Sequence, residues 1–186
     1  KCVLIVGGSL GARSINEGII ANIGKIRENS DIQFIWQTGK LYFEEMKRRA
    51  AEAGKPENLI ITDFVSNMGN ALSAANLVVS RAGAGSISEF ALLGKAVILV
   101  PSPNVSEDHQ TKNAMALVDK DAAIYVADAN VNEELIEKAI ETVNDEMKLA
   151  LLETNIQKMG KPNAASEIAD EVLKLADAYI EKRTGR

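Results

Sequence analysis

Residues 78–89 read VVSRAGAGSISE and join an apolar run to a glycine-rich turn and the start of a helical pattern. A short run rich in Val is typical of a buried strand, and glycine lets the backbone turn tightly into the next element. A strand that passes through such a turn into a helix is the repeating unit of parallel α/β proteins. This stretch therefore predicts one βα unit, and the same pattern recurs along the chain.

Apolar runs and helical stretches alternate over most of the sequence. The predicted strands are 2–6, 32–36, 59–62, 77–80, 96–100 and 123–126. The predicted helices lie near 12–28, 41–53, 67–75, 86–93, 108–119 and 132–143. Because the strands are apolar throughout, helices should cover both faces of the sheet. We therefore predict an α/β fold, a doubly wound, Rossmann-like domain with a six-stranded parallel sheet and a ligand site at the carboxyl ends of its strands.

After residue 143 the pattern is helical only, with a break at residues 160–162. We expect residues 1–160 to form the ligand-binding domain and residues 161–186 to form a C-terminal helix. The apolar stripe of that helix predicts packing. We expect it to cover the sheet edge or, as the alternative, to reach towards another domain. Because a strand starts at residue 2, we also expect a domain to precede this chain.

Composition excludes several classes of protein. The 186 residues are 46% hydrophobic and 25% charged, which is typical of a globular domain. A net charge of −5 argues against nucleic acid as a partner. One Cys and one His do not supply a Cys-based or multi-His metal site. The apolar runs are all shorter than the roughly 20 residues that span a bilayer.

The loop GGSLGAR, residues 7–13, predicts an anion site after the first strand. Small residues let a ligand approach the backbone, the following helix presents free N–H groups, and Ser9 adds a hydroxyl donor. The loop has no Gly-Lys-Ser/Thr, so it is not a Walker motif. The alternative is a tight turn that needs glycine only for packing.

The loop RAGAGSISE, residues 81–89, approximates a dinucleotide-binding fingerprint with Ser88 at its third glycine position. That function requires an acidic residue after a neighbouring strand, and ILVPSPNV and IWQTGK contain none. Glu107 and Asp108 are explained as helix caps. Glu89, at the end of the predicted first helical turn, is the carboxylate that could bind a ribose; the alternative is an acid favoured by the helix dipole.

Two further segments carry candidate binding groups. In PSPNVSEDHQTKNA, residues 101–114, Gln110 and Asn113 share a helix face and suit sugar hydroxyls, although a solvated helix start would look similar. In TDFV, residues 62–65, Phe64 could flank a planar base while the Val65 backbone pairs with its edge. A core Phe is the alternative.

The motifs GGSLGAR, QTGK, TDF, ANLVVSRAGAGSISE and VPSPNVSEDHQTKNA occur in this order in the MurG family, and the chain resembles the carboxyl-terminal domain of that family. The resemblance implies one half of a GT-B glycosyltransferase of peptidoglycan synthesis, which adds N-acetylglucosamine to a lipid-linked muramoyl-pentapeptide. This half would bind UDP-N-acetylglucosamine. An amino-terminal domain would bind the lipid-linked acceptor at the cytoplasmic face of the cell membrane, as a peripheral enzyme.

The resemblance also implies roles for single residues. The base would meet Phe64 and the Val65 backbone, Glu89 would hold the ribose, and Gln110 with Asn113 would contact the sugar. The implied donor-binding residues are Gly8, Ser9, Phe64, Val65, Ala84, Gly85, Ser86, Glu89, Gln110 and Asn113. No cofactor or metal is implied, and the catalytic base would lie in the amino-terminal domain. The alternatives are half of a UDP-N-acetylglucosamine 2-epimerase and a nucleotide-binding module without catalysis.

Overall fold

The computed structural model describes residues 1–103 and 108–184, which contain six strands and nine α-helices. The strands are β1 (Cys2–Val6), β2 (Gln33–Gln37), β3 (Leu59–Thr62), β4 (Leu77–Ser80), β5 (Ala96–Leu99) and β6 (Ile124–Tyr125). The helices are α1 (Arg13–Ala21), α2 (Ile23–Glu28), α3 (Phe43–Glu52), α4 (Met68–Ala74), α5 (Ala84–Leu93), α6 (His109–Val118), α7 (Val131–Asn144), α8 (Glu146–Gln157) and α9 (Ala164–Thr184). A 3₁₀ turn at Asp128–Asn130 precedes α7.

All strand pairs are parallel, and the strands lie in the order β3-β2-β1-β4-β5-β6. In the two central strands, β1 and β4, alternate side chains enter different cores. Val3 and Ile5 pack with α1, α2, α3 and α7, whereas Leu4 and Val6 pack with α4, α5 and α6. The predicted doubly wound, six-stranded sheet with both faces covered is therefore confirmed.

The largest difference from the predicted elements is a break in the helix expected at 12–28. Asn22 interrupts it with φ −114° and ψ 18°, and its side-chain amide donates to the carbonyls of Gly18 and Asn132 at 2.8 and 2.7 Å. These bonds tie the break to the start of α7. Strand β2 begins one residue later than predicted, because the Ile32 N–H donates to Asn29 in a turn. Strands β5 and β6 are shorter than predicted.

Helix α9 does not cover the sheet edge, contrary to our first expectation. All side chains from residue 165 to residue 180 are exposed, including Ile168 at 65%, Val172 at 59% and Leu175 at 71%. The apolar stripe predicted from sequence is therefore present on α9, but it faces outward within the described residues.

Candidate functional site

The candidate site lies at the carboxyl ends of β1 and β4, the two central strands of the sheet. The chain leaves β1 towards β2 on one side and leaves β4 towards β5 on the other, so the strand order reverses between them. In open α/β sheets, loops that diverge at such a point leave a crevice where ligands bind. Residues 7–12, which we call the β1 loop, and residues 81–83, the β4 loop, border this crevice.

The β1 loop uses glycine for two different reasons. Gly8 and Gly11 have φ angles of +83° and +81°, and the Gly11 N–H donates to the Gly8 carbonyl at 3.0 Å. A Cβ atom on Gly11 would lie 2.1 Å from the Thr38 carbonyl oxygen. A Cβ atom on Gly8 would meet no described atom within 4 Å. Gly11 therefore allows the loop to pack against the end of β2, whereas Gly8 leaves backbone open to a ligand.

Helices α1 and α5 both begin at the crevice without a side-chain cap. Their N-cap residues, Ala12 and Gly83, carry no side chain that could accept a hydrogen bond. The first N–H groups of a helix lack an acceptor within it, which in α5 applies to Ala84, Gly85 and Ser86. Ala84 and Gly85 line neither of the cavities described below, whereas Ser86 lines both, so the structure brings only Ser86 of these three predicted residues to the cavity walls. Two helix starts in one crevice favour an anionic group.

The crevice opens into a cleft of about 850 Å³, within the range of about 300–1,000 Å³ that small-molecule sites occupy. Gly8 and Ser9 line it from the β1 loop, Ser86 lines it from α5, and Gln110 lines it from α6. These groups follow β1, β4 and β5. Segments that follow three different strands therefore meet at the carboxyl edge of the sheet, where the ligand site was predicted.

A smaller pocket of about 200 Å³ adjoins the cleft and shares Gly8, Ser9 and Ser86 with it. Phe64 and Val65, from the loop after β3, form another wall. The Phe64 side chain is 48% exposed, so the alternative of a core Phe is wrong.

Two contacts hold the segment that carries Phe64. The Thr62 hydroxyl donates to the Phe64 carbonyl at 2.9 Å. The Lys40 ammonium lies 5.8 Å from the centroid of the Phe64 ring, within the distance of a cation–π interaction. The small pocket thus presents an aromatic side chain that is open on one side and anchored through its backbone.

Glu89 lines the small pocket from the second turn of α5, not from the first turn as predicted. Helix α5 begins at Ala84, two residues earlier than expected, because Gly83 is extended (φ −71°, ψ 138°) and precedes the first helical residue. The effect of a helix dipole falls off within the first turn. A favourable interaction with the helix dipole, the alternative given above, therefore does little to explain why an acidic residue occupies this exposed position at the pocket.

Gln110 and Asn113 lie one turn apart on α6 but make different contacts. Gln110 lines the cleft, and its Oε1 accepts from the Ser102 N–H at 2.9 Å, which leaves its amide nitrogen to donate. Asn113 lines neither cavity; its Nδ2 donates to the Ala82 carbonyl at 3.1 Å. The structure brings Gln110 to the site, while Asn113 tethers α6 to the β4 loop.

The two acids explained as helix caps have different outcomes. Asp108 occupies the N-cap of α6 in a left-handed conformation (φ 55°), but its side chain makes no cap hydrogen bond. The predicted capping by Asp108 is therefore wrong. Glu107 lies outside the described residues.

Sequence reasoning missed a charged network at the cleft. The Arg81 guanidinium donates to the Asp128 carboxylate at 2.5 Å and to the Ser14 hydroxyl at 2.8 Å. It also donates to the carbonyls of Val100 and Pro101 at 3.1 and 3.2 Å. Arg81 thereby connects the β4 loop, the end of β5, α1 and the 3₁₀ turn. An Arg directly after a buried strand was the available signal, but its acidic partner is 47 residues away.

Other electrostatic features bear on what the site can bind. Glu17 lines the cleft, and the Arg49 guanidinium, 2.7 Å from its carboxylate, lowers the pKa of Glu17. Across residues 1–103 and 108–184, no group of three or more His, Cys, Asp or Glu side chains is placed to hold a metal ion. In the same part of the chain, no helix is both long enough and apolar enough to cross a membrane.

Comparison with known proteins identifies the family. Residues 2–172 match the glycosyltransferase family 28 C-terminal domain. The chain belongs to this family. A relative from Bacteroides thetaiotaomicron, named UDP-N-acetylglucosamine–N-acetylmuramyl-(pentapeptide) pyrophosphoryl-undecaprenol N-acetylglucosamine transferase, is 57% identical over 178 residues, which cover 96% of this chain and 48% of the relative. This member of the glycosyltransferase family therefore spans about half the length of the curated relatives it matches.

Solved structures agree with this assignment. The crystal structure of Acinetobacter baumannii MurG matches with a TM-score of 0.78 and 31% identity, over 93% of this chain and 52% of that chain. The resemblance to the MurG family is confirmed. A UDP-N-acetylglucosamine 2-epimerase matches with a TM-score of 0.65 and 14% identity, over 96% of this chain and 44% of that chain. At that identity the epimerase shares the fold alone, so it does not support an epimerase function for this glycosyltransferase family 28 domain.

Proposed function

We propose that this chain is the donor-binding domain of an inverting glycosyltransferase of peptidoglycan synthesis. The donor is UDP-N-acetylglucosamine, and the acceptor is a lipid-linked muramoyl-pentapeptide. One observation carries the proposal: a small pocket with an exposed aromatic ring and a carboxylate adjoins a cleft that contains two uncapped helix starts. That order of groups corresponds to base, ribose and diphosphate. The name of the 57% identical relative supports this choice of donor and acceptor.

The two cavities divide the donor between them. A pocket of about 200 Å³ is smaller than the about 300–1,000 Å³ of sites for whole ligands, so it takes the base and ribose only. Phe64 and the Val65 backbone contact uracil, and Glu89 accepts from the ribose hydroxyls. The diphosphate then lies between Ser9 and the start of α5. The sugar extends into the larger cleft, where the free amide nitrogen of Gln110 donates to a hydroxyl.

The reaction breaks the bond between the anomeric carbon and the diphosphate oxygen. A hydroxyl of the acceptor attacks the anomeric carbon from the opposite face, and the bonding electrons leave with UDP. Negative charge therefore grows on the diphosphate, where the N–H groups of Ala84, Gly85 and Ser86 are already oriented. Removing one such oriented donor costs about 3–4 kcal/mol of transition-state stabilisation in well-studied enzymes.

The proposal places the acceptor pocket and the catalytic base in an amino-terminal domain, outside residues 1–186. The exposed apolar stripe of α9 supports contact with such a domain, since exposed apolar patches commonly mark interaction sites. The whole enzyme would lie peripherally on the cytoplasmic face of the cell membrane, where a lipid-linked acceptor is accessible.

Calorimetric titration with UDP-N-acetylglucosamine, UDP-N-acetylgalactosamine, UDP and NAD tests this function. We expect binding of UDP and its N-acetylglucosamine derivative, and none of NAD. Glu89→Ala should weaken both uridine ligands by about 1.5–3 kcal/mol, the worth of hydrogen bonds to a charged group. Glu57→Ala is the matched control, since Glu57 is exposed at the opposite end of the sheet.

Gln110→Ala separates the sugar site from the nucleotide site. It should weaken UDP-N-acetylglucosamine and leave UDP unchanged, because Gln110 lines only the larger cleft. Equal losses for both ligands would show that Gln110 does not contact the sugar. Preference for NAD over every uridine ligand would refute the donor assignment itself.

A further inference from the structure

Gln37, the last residue of β2, is a buried polar side chain that the site described so far does not use. It is 3% exposed and lines the small pocket. Its Nε2 donates to the Gly8 carbonyl at 2.9 Å and to the Asp63 carbonyl at 3.3 Å. Gly8 belongs to the β1 loop, and Asp63 directly precedes Phe64. One amide therefore connects the loop proposed for the diphosphate to the segment proposed for the base.

These two bonds fix which way the amide of Gln37 points. Both partners are carbonyl oxygens, so the nitrogen must face them and Oε1 must face away. Among the described residues, Oε1 has no hydrogen-bond donor, and the one fully buried side-chain polar atom without a partner is Thr142 Oγ1. Gln37 Oε1 therefore retains accessible surface, and the cavity that Gln37 lines is the small pocket.

A ligand that fills this partly apolar pocket would exclude water from Oε1, and an acceptor that is then buried without a donor costs about 1–3 kcal/mol, so a bound ligand should supply a donor. Val6, Met68 and Phe90 supply apolar wall around it. In UDP, the ribose joins the base to the diphosphate, and Gln37 likewise lies between the carbonyls of the base segment and the diphosphate loop. Ribose hydroxyls are donors, whereas the diphosphate oxygens are acceptors only.

We propose that Gln37 is a further donor-binding residue, whose Oε1 accepts a hydrogen bond from a ribose hydroxyl while its Nε2 holds the two loops at a fixed separation. This inference rests on the proposed function, because it assumes a uridine nucleotide in the small pocket. Glu89 and Gln37 then approach the ribose from different elements, α5 and β2. Gln37 contributes to binding of UDP and of its sugar derivative equally.

A thermodynamic cycle tests the contact with UDP, 2′-deoxy-UDP and 3′-deoxy-UDP, titrated into the unmodified chain and into Gln37→Met. Met has a similar length and no amide. In the unmodified chain each missing hydroxyl should lower affinity. In Gln37→Met the penalty for one of the two hydroxyls should shrink by about two- to tenfold, the worth of one hydrogen bond. Gln33→Met is the matched control, since Gln33 is exposed at the other end of β2.

The outcomes are distinguishable. Penalties for both hydroxyls that are unchanged in Gln37→Met would overturn the ribose contact, even if the affinity for UDP fell through loss of the tie between loops. If Gln37→Met does not fold, the side-chain amide resonances of Gln37 in the unmodified chain replace the cycle. They should shift differently with UDP and with one deoxy analogue, and identical shifts would overturn the proposal. Failure of the unmodified chain to bind any uridine ligand would refute the proposed function instead.

Discussion

Replacing Gly8 and Gly11 separately by Ala should distinguish the contribution of the β1 loop to ligand binding from its contribution to stability. Both residues have positive φ, which costs Ala about 1–2 kcal/mol. Ala also reduces the conformational freedom of the unfolded chain, which offsets about 0.4–1 kcal/mol of this cost. Gly8→Ala should therefore destabilise by about 1 kcal/mol, since its Cβ meets open space.

Gly11→Ala adds a steric overlap to the same backbone cost. Its Cβ would lie 2.1 Å from the carbonyl oxygen of Thr38 and 3.0 Å from Cδ2 of Tyr42. The Thr38 carbonyl belongs to the backbone that follows β2, so relief requires a shift of the loop or the strand end. Overpacking of this kind costs about 1–3 kcal/mol, which brings the total to about 2–4 kcal/mol.

Urea unfolding followed by the fluorescence of Trp36, the buried and only tryptophan, measures both free energies of unfolding. Calorimetry with UDP measures binding. We expect Gly8→Ala to reduce the affinity for UDP with little loss of stability, because the new methyl occupies space that a ligand would use. Gly69→Ala, at the second residue of α4 and with its nearest contact at 3.6 Å, is a control that should stabilise the fold by about 0.4–1 kcal/mol.

Two results would refute this reasoning. Equal destabilisation by Gly8→Ala and Gly11→Ala would show that the overlap with Thr38 is relieved without cost. Unchanged UDP affinity in Gly8→Ala would show that the open space beside Gly8 is not where the ligand lies.

Four further substitutions test the packing and the charge pairs. Thr142→Val should stabilise the fold by about 1 kcal/mol in urea unfolding, because it removes a buried hydroxyl that has no partner among the described residues. Glu17→Gln should cost up to about 1 kcal/mol at pH 7; since Arg49 lowers the folded pKa of Glu17 below 4.5, this difference should persist above pH 4.5 and vanish as the pH falls through the folded value. Arg81→Met should lower the free energy of unfolding by about 2–3 kcal/mol, which is less than the roughly 3–5 kcal/mol lost when a fully buried ion pair is broken. In a double-mutant cycle, Arg81→Met combined with Asp128→Asn should cost less than the sum of the two single substitutions.

The fold was predictable because its strands carry a local signal. The observed β1, β3 and β4 have the predicted bounds, since each is a short apolar run that ends in a turn. The break at Asn22 was not predictable, because the carbonyl of Asn132 that fixes it is 110 residues away. The outward stripe of α9 was predictable as a stripe, but periodicity does not say what a helix packs against.

The candidate site also has parts that local sequence patterns predict and parts that depend on tertiary contacts. Glycine loops followed by helices are local patterns, so the β1 loop, Ser86 and Glu89 were identified from sequence and line the two cavities. Gln37 and Arg81 were missed because their partners come from other loops. Asn113 is the converse case: its spacing predicts the same helix face as Gln110, but a tertiary contact with the Ala82 carbonyl decides where its amide points. Their roles in binding remain predictions.

Under the proposed function, the charges at the cleft bear on how a departing diphosphate would be stabilised. Two arginines near the cleft are paired, Arg81 with Asp128 and Arg49 with Glu17, whereas Arg13 lines the cleft and forms no ion pair with a described residue. The oriented N–H groups at the start of α5 are fixed in position by the helix. Fixed dipoles stabilise charge most where it grows during the reaction, and they need no reorganisation at that moment. Under the proposed function, these backbone donors would therefore strengthen their interaction as UDP departs from the sugar.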